Sequence, residues 1–246
     1  MSLNILGGSS TVGSISITSD EFCSTARYSK RTGKISYKVK PLPRLVKFVL
    51  KAEKRYLIPQ TLKLLAFFIG NLKLRDLIFI SALICVVRLL ESELRGKIAG
   101  SQIIILATGW LVLLLFVKIK IAGFHGAEHM AIAAYERNES TDLCSVNKES
   151  PINPKCGGRM ALPLALTVLV LIYFNLHWSF FILSTEAMLW IDKKIGFDKI
   201  PIFSQSSILL QRYITTAYPT EHQTRTAQIA MIALIGTSED TTSPRR

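Results

Sequence analysis

The chain has 246 residues, with 30 lysines and arginines against 17 aspartates and glutamates, and its formal net charge is +13. Its hydrophobic fraction is 49% and its mean hydropathy is +0.34, values that are high for one large or two small water-soluble domains. Its four cysteines form no Cys-x-x-Cys pair, which excludes a disulfide framework and a four-cysteine zinc site as readings of the sequence.

The N-terminal region predicts a small β element. Ile15 and Ile17 alternate with serines, and a second alternation covers residues 35–39 after a turn at residues 31–33. The pair Gly7-Gly8 indicates a further turn. These patterns predict a β-hairpin or a small sheet within the first forty residues.

Basic amphipathic helices are predicted over residues 41–76. Apolar residues recur there at helical spacing among lysines, and Pro59 divides the stretch. Eleven lysines and arginines in residues 1–56 lie ahead of the first apolar segments, which is typical of a cytoplasmic flank of a membrane protein. We expect these helices to lie on a membrane surface with anionic lipid as partner, a reading that fits the basic charge better than nucleic acid does. Packing against a cytoplasmic domain is the alternative.

Three apolar stretches are candidate membrane spans. Residues 98–117 carry no charged side chain and are long enough to cross a hydrocarbon core of about 30 Å. Residues 77–90 are shorter and include Arg88; they are expected to pair with residues 98–117 as a hairpin, and the alternatives are a re-entrant segment or a buried helix of a soluble domain. Residues 160–185 form either one tilted span or two arms that fold back near Asn175. No continuous apolar core opens the chain, so insertion would rely on these internal segments.

Together these patterns predict a mostly α-helical integral membrane protein that crosses the cell membrane several times. The N-terminus and the region around His125 are expected on the cytoplasmic side. The predicted regions are a β-rich region (1–40), interfacial helices (41–76), a membrane hairpin (77–117) and a cytoplasmic region (118–159). They are followed by a second membrane span or hairpin (160–191), amphipathic C-terminal helices (192–236) and a disordered tail (237–246).

A metal-binding motif lies between the apolar stretches. His125, Glu128 and His129 have the spacing His-x-x-Glu-His, the order of the inverse zincins. On a helix, His125 and His129 share one face and Glu128 lies beside them. Zinc hydrolases use two neutral imidazoles, an open coordination position and a nearby carboxylate that accepts a proton. The same spacing also arises by chance on a polar helix face, so simple hydrogen bonding is the alternative.

The third metal ligand has several candidates. Glu136 shares the face of His125 but lies seven residues beyond His129, about 10 Å along a helix axis, so it cannot easily reach the same ion. Glu186 is favoured, because an ionisable residue beside an apolar span is costly to bury and marks a functional position. The alternative role of Glu186 is to cap a helix or to form an ion pair with Lys193. The other candidates lie elsewhere in the chain: Asn153, Cys156, Glu221 and His222.

The order of these motifs resembles the bacterial YqhQ-like family, the family of domain of unknown function 1385, described as predicted metal-dependent membrane proteins. The resemblance rests on the Gly7-Gly8 pair and on a Phe-His-Gly-Ala-Glu-His box at 124–129 that is followed by Tyr-Glu at 135–136. It also rests on a Pro-Lys-Cys-Gly box at 154–157 and a Gln-Arg-Tyr-Ile-Thr-Thr segment at 211–216. It runs from Gly7 to about Leu234 and implies a metal site at the first box. Asn153 and Tyr218 depart from the family pattern, which usually has histidine and glutamate there.

Two classes of function follow. In the first, His125, His129 and Glu186 hold a divalent metal, zinc by ligand type, and Glu128 is the general base of a hydrolase at the cytoplasmic membrane face. Its substrate would be lipid-linked or a membrane peptide. In the second, the protein is a non-catalytic membrane scaffold or partner-binding protein with a structural or vestigial metal site. A membrane protein or a second copy of the chain is then the expected partner.

Overall fold

A four-stranded antiparallel sheet forms the N-terminal part of the protein. The computed structural model describes residues 3–52, 59–63, 115–138, 141–154, 156–174 and 179–242. The strands lie side by side in sequence order, and short turns join the first three as hairpins. The sheet occupies the region in which alternating residues predicted a β element. Its strands are β1 (Ile5–Thr11), β2 (Ser14–Ser19), β3 (Phe22–Tyr28) and β4 (Ile35–Pro41).

Seven helices with complete bounds follow in the described part of the chain. They are α1 (Arg44–Ala52), α2 (Ala122–Asn138), α3 (Leu143–Lys148), α4 (Ala161–Tyr173), α5 (Ser179–Ile195), α6 (Pro201–Leu210) and α7 (Glu221–Thr242). The shorter helical turns are the 3-10 turns Gly157–Met160 and Phe197–Lys199 and the π-helical turn Gln211–Thr215. Because α7 continues to Thr242, the tail that composition predicted to be disordered is helical up to that residue.

The main core lies between the sheet, α2 and α7. Ile15 and Ile17 of β2 are fully buried there. Both helices contact β2, and α2 and α7 contact each other. Alanines on the facing sides of the two helices allow their backbones to approach closely, which keeps the core dense. The buried residues that α2 and α7 contribute are Phe124, Ala127, Met130, Ala131, Ile132, Ala134, Tyr135, Ala227, Ala230, Met231 and Leu234.

A smaller cluster attaches α1 to the sheet. Leu42, Val46 and Val49 are buried together with Cys23 of β3. The ammonium group of Lys47 lies 5.4 Å from the ring centroid of Phe22, so the basic side of the helix also contacts the sheet. Val46 and Val49 of α1 therefore pack against the sheet, whereas Phe48 on the same helix is 63% exposed.

The expected integral membrane fold and multi-pass localisation in the cell membrane are wrong. Within the described parts of the chain, no helix combines the length and the apolar character that a bilayer crossing requires. The stretch 160–185 is divided between α4, with 13 residues, and α5, with 17 residues, whereas a crossing needs about 20. These two helices contact each other as two arms. The candidate span 77–90 lies outside the described residues, as does 98–117 except for residues 115–117.

Candidate metal centre

Helix α2 carries the histidine motif, and a glycine within the motif allows another chain segment to lie directly on it. A Cβ atom at Gly126 would lie only 2.1 Å from the carbonyl oxygen of Ala217. The amide of Ala217 donates to the carbonyl of Ala122 at 3.1 Å, which fixes this close approach. Gly126 therefore permits the segment after the π-helical turn to reach His125.

Each histidine ring is oriented by a backbone carbonyl. Nδ1 of His125 lies 2.9 Å from the carbonyl oxygen of Thr215, and Nδ1 of His129 lies 2.7 Å from that of Pro151. Because a carbonyl oxygen only accepts hydrogen bonds, both Nδ1 atoms carry the proton and donate. In the neutral ring, the Nε2 lone pair then remains available to a metal, as is usual for metal-binding histidines.

The thiol of Cys156 completes a cluster with the two histidines. One potential ligand atom each from His125, His129 and Cys156 lies within 4.8 Å of the others. Sγ of Cys156 is 3.7 Å from Nε2 of His125, and the two imidazole centroids are 4.3 Å apart. Ligand atoms around a tetrahedral zinc ion lie roughly 3.5 Å apart, given bonds of about 2.0 to 2.3 Å. This group can therefore hold a metal ion with small side-chain adjustments.

Burial keeps both imidazoles in the form that binds metals. It lowers the pKa of His129 to about 4; the neighbouring charge of His125 adds to this, and the hydrogen bond to Pro151 opposes it. Burial also lowers the pKa of His125, against the effect of its bond to Thr215. Neutral histidine is the metal-binding form, so little proton release is required at neutral pH.

The thiol of Cys156 is protonated in the absence of a metal. Burial is the largest cause of its raised pKa, and the charge of Glu128 acts in the same direction. The amide of Gly158, which donates to Sγ at 3.4 Å, and the charge of Arg159 lower the pKa. Since a coordinated thiol loses its proton, a bound cation would reverse this balance.

Glu128 lies beneath strand β1. Its side chain is buried, and Ser10 Oγ donates to Glu128 Oε2 at 2.5 Å. A Cβ atom at Gly8 would lie 2.6 Å from Glu128 Oε1, so only glycine leaves room for the carboxyl group. Burial raises the pKa of Glu128 to about 8, although the Ser10 bond lowers it. Gly7 and Gly8 both lie inside β1, where Gly7 has φ +146°. The prediction that this pair begins a turn is therefore wrong.

Glu186, the favoured third ligand, is not part of the cluster. Its Oε1 accepts from the amide of Gln60 at 2.7 Å, and its Oε2 accepts from the amide and the hydroxyl of Thr61 at 2.8 Å each. These contacts cap the helical turn at residues 60–63, the alternative that the sequence left open. Desolvation raises the pKa of Glu186, but these hydrogen bonds outweigh it, and the pKa lies below its usual value.

The remaining predicted candidates also lie outside the metal-binding group. Asn153 contributes its backbone to the turn before Cys156. His222 stacks on Tyr28 with ring centroids 4.4 Å apart. Glu136 is exposed on α2 and belongs to no metal-binding group among the described residues.

Sequence reasoning did not identify the groups that orient the site. Pro151 and Thr215 act through backbone carbonyls, which carry no side-chain signature. Ser10 and Gln211 are ordinary polar residues until the fold brings them to the site. The late Gln-Arg-Tyr-Ile-Thr-Thr segment, residues 211–216, was the one available signal for the wall behind His125.

Comparisons with known proteins identify a family. A family model described as "Protein of unknown function (DUF1385)" matches residues 60–237, which is more than half of the chain and includes all three residues of the metal-binding group. No curated protein and no solved structure gives a significant match. With its His-Gly-Ala-Glu-His helix and the nearby cysteine inside the matched region, the chain belongs to the DUF1385 family.

Proposed function

We propose that this protein is a metal-dependent hydrolase whose metal ligands are Nε2 of His125, Nε2 of His129 and Sγ of Cys156. The convergence of one ligand atom from each of these three residues within 4.8 Å carries the proposal. Three ligands from the described residues leave one position of a four-coordinate ion open, and an open position is typical of catalytic zinc sites.

Zinc is the metal that this donor set suits best. Two imidazoles and a thiolate are soft or borderline ligands, whereas magnesium and calcium prefer oxygen. When bound, a zinc ion supplies Lewis acidity and lowers the pKa of water to about 7.

Glu128 is the proposed proton-transfer group. It follows the motif spacing on α2, next to His129 in the sequence, and its buried side chain contacts β1. Burial raises the pKa of Glu128 to about 8, so the carboxyl group takes up and releases its proton close to neutral pH. Ser10 holds one carboxyl oxygen in place, so the group is oriented before a substrate arrives.

Metal content tests the first part of this proposal. We expect near-stoichiometric zinc in the purified, dialysed protein and its loss in the His125→Ala, His129→Ala double variant and in Cys156→Ser. Glu186→Ala is the matched control and retains the metal. A wild-type protein that takes up no zinc, cobalt or other transition metal after incubation and dialysis would refute the site.

Turnover tests the second part. A panel of chromogenic carboxylic esters, phosphoesters and peptide amides is offered to the zinc-loaded protein. We expect hydrolysis of at least one class, and we expect Glu128→Gln to keep the metal but lose about 100-fold or more in rate, the scale of a general base. Full activity in Glu128→Gln rules out that role, and metal without turnover across the panel favours a structural site in a partner-binding protein.

A further inference from the structure

We infer that Gln211 is a positioning residue of the metal centre, holding both the turn that carries Cys156 and the carbonyl that orients His125. This inference rests on the proposed metal site. Gln211 is fully buried at the junction of α6 and the π-helical turn.

The side-chain amide of Gln211 pairs with the backbone of Asn153. Its Oε1 accepts from the Asn153 amide at 2.9 Å, and its Nε2 donates to the Asn153 carbonyl at 3.1 Å. Nε2 also lies 3.1 Å from Ser207 Oγ, to which it donates. Both ends of the amide are therefore used, and two of these three bonds hold a single residue of the neighbouring loop.

That residue sets the position of Cys156. The carbonyl of Asn153 also accepts from the amide of Cys156 at 3.0 Å, which closes a tight turn. The turn places Sγ 3.7 Å from Nε2 of His125. Because Gln211 and Cys156 donate to the same carbonyl, a change in the Gln211 amide is transmitted directly to the thiol.

The main chain of Gln211 shapes the opposite wall. Its carbonyl accepts from the amide of Thr216 and from the Thr216 hydroxyl, both at 2.9 Å. The hydrogen bond from the Thr216 amide to the Gln211 carbonyl spans five residues and closes the π-helical turn. The carbonyl of Thr215 within this turn then lies 2.9 Å from Nδ1 of His125. Such turns are rare and occur often at functional sites.

Burying the side-chain amide of Gln211 costs desolvation free energy, so a contribution to stability does not explain why an amide is present at this position. An apolar side chain of similar size would fill the space without desolvating a polar group. The amide contributes direction instead, since its donor and acceptor fit one orientation of the Asn153 backbone. Gln211 thus joins the turn that carries Cys156 to the π-helical turn that orients His125.

The first test uses the metal-free, full-length protein, so it does not depend on metal binding. Iodoacetamide labelling is followed at each cysteine by mass spectrometry, with the exposed Cys144 as internal reference. We expect Gln211→Ala to raise the labelling rate of Cys156 by about 10-fold, because loss of about 1.4 kcal/mol of hydrogen bonding raises the open population by that factor. The rate at Cys144 stays unchanged.

Two further variants complete this test. Gln211→Met is close in size and keeps the space filled but makes none of the three hydrogen bonds, so we expect an increase similar to that of Gln211→Ala. Gln228→Ala is the matched control, since Gln228 is another partly buried glutamine that donates to a loop carbonyl, that of Thr141 at 2.8 Å. It should leave the labelling of Cys156 unchanged. If Gln211→Ala fails to fold by circular dichroism, Gln211→Met decides the result.

Cobalt substitution provides the second test. The thiolate-to-cobalt absorption band reports coordination by Cys156 specifically. We expect Gln211→Ala to weaken cobalt affinity by about 10- to 100-fold, the usual effect of a group that orients a metal ligand, and to reduce this band relative to the bands of the remaining ligands. Gln228→Ala should change neither.

The two measurements separate the inference from the proposed function. Unchanged labelling and an unchanged cobalt band in the folded Gln211 variants would overturn the inference while leaving the metal site intact. Faster labelling of Cys156 in a protein that binds no metal would refute the metal site and retain the role of Gln211 in positioning the thiol. Equal effects of Gln211→Ala and Gln228→Ala would reduce Gln211 to a general packing residue and overturn the inference.

Discussion

Helices α2 and α5 each carry ionisable residues among apolar ones, yet the fold uses them in opposite ways. On α2, the Nδ1 atoms of His125 and His129 donate to carbonyls, and their Nε2 atoms converge with Cys156. On α5, both oxygens of Glu186 accept hydrogen bonds from residues 60 and 61. The partners of a side chain, and not its sequence context, decide whether its lone pairs remain available to a metal.

The surroundings of the two helices differ as well. Most of α2 is buried between the sheet and α7, so its histidines are held in a dense environment. Helix α5 exposes several large apolar side chains, including Ile182 and Leu183. A metal centre needs ligands that keep their geometry, and only the α2 face provides this rigidity.

The largest expected effect separates the two helices by metal affinity. His129→Ala should weaken zinc binding by roughly 100-fold, since structural zinc sites gain about 10–16 kcal/mol from four ligands, or about 3 kcal/mol each. Glu186→Ala should change the affinity by less than about twofold. Chelator competition measures both constants. Similar losses in the two variants would show that Glu186 reaches the metal after all.

The next effect concerns the close approach of the chain to α2. Gly126→Ala places a Cβ atom against backbone, which cannot give way easily, so we expect the free energy of unfolding to fall by about 2 kcal/mol or more. Urea denaturation measures this change. Gly236→Ala on α7 is the control: no atom lies within 4 Å of its added Cβ, and alanine should stabilise the helix by about 0.5–1 kcal/mol. Equal effects at the two glycines would contradict the close approach at Ala217.

The smallest effect belongs to the cap at Glu186. Glu186→Ala should lower the free energy of unfolding by about 1 kcal/mol, the usual value of a capping side chain, and Glu186→Gln should lose about half of it because one acceptor oxygen remains. Denaturation at several pH values measures both.

The effect of Glu186 should also depend on pH. Because the folded-state pKa of Glu186 is below the ordinary value of 4.5, its contribution is fully present above pH 4.5 and is lost as the pH falls through the folded-state value. The wild-type and Gln variant should therefore converge in acid. A difference that persists at low pH would assign the stabilisation to packing instead of the charged cap.

Local patterns predicted part of the site and part of the fold. The spacing of His125 and His129 predicted a shared helix face with Glu128 beside it, because helical periodicity is a local property. The third ligand could not be predicted in this way. Cys156 reaches the cluster only through a turn held by Gln211, more than fifty residues further along the chain, and no local pattern reports such a contact.

Hydropathy was the least reliable guide. An uncharged run at residues 160–185 satisfied the length requirement of a membrane span, but the structure divides it between α4 and α5. The lysines and apolar residues of α1 likewise predicted a membrane surface, and the structure shows Val46 and Val49 packed with Cys23 of the sheet while Phe48 is exposed. An apolar helix face predicts burial, but hydropathy does not distinguish burial against protein from burial against lipid.

The sequence by itself determined the strand-forming alternation of β2, the helix of the histidine motif and two histidines of the group that could hold a metal, since these depend on side-chain type and on local periodicity. The tertiary structure alone decided that Cys156 is the third member, that Glu186 caps a neighbouring turn, and that Gly8 and Gly126 leave room for Glu128 and Ala217. The physical reason is that ligand geometry and close packing depend on distances between segments far apart in the chain, which only the folded backbone sets.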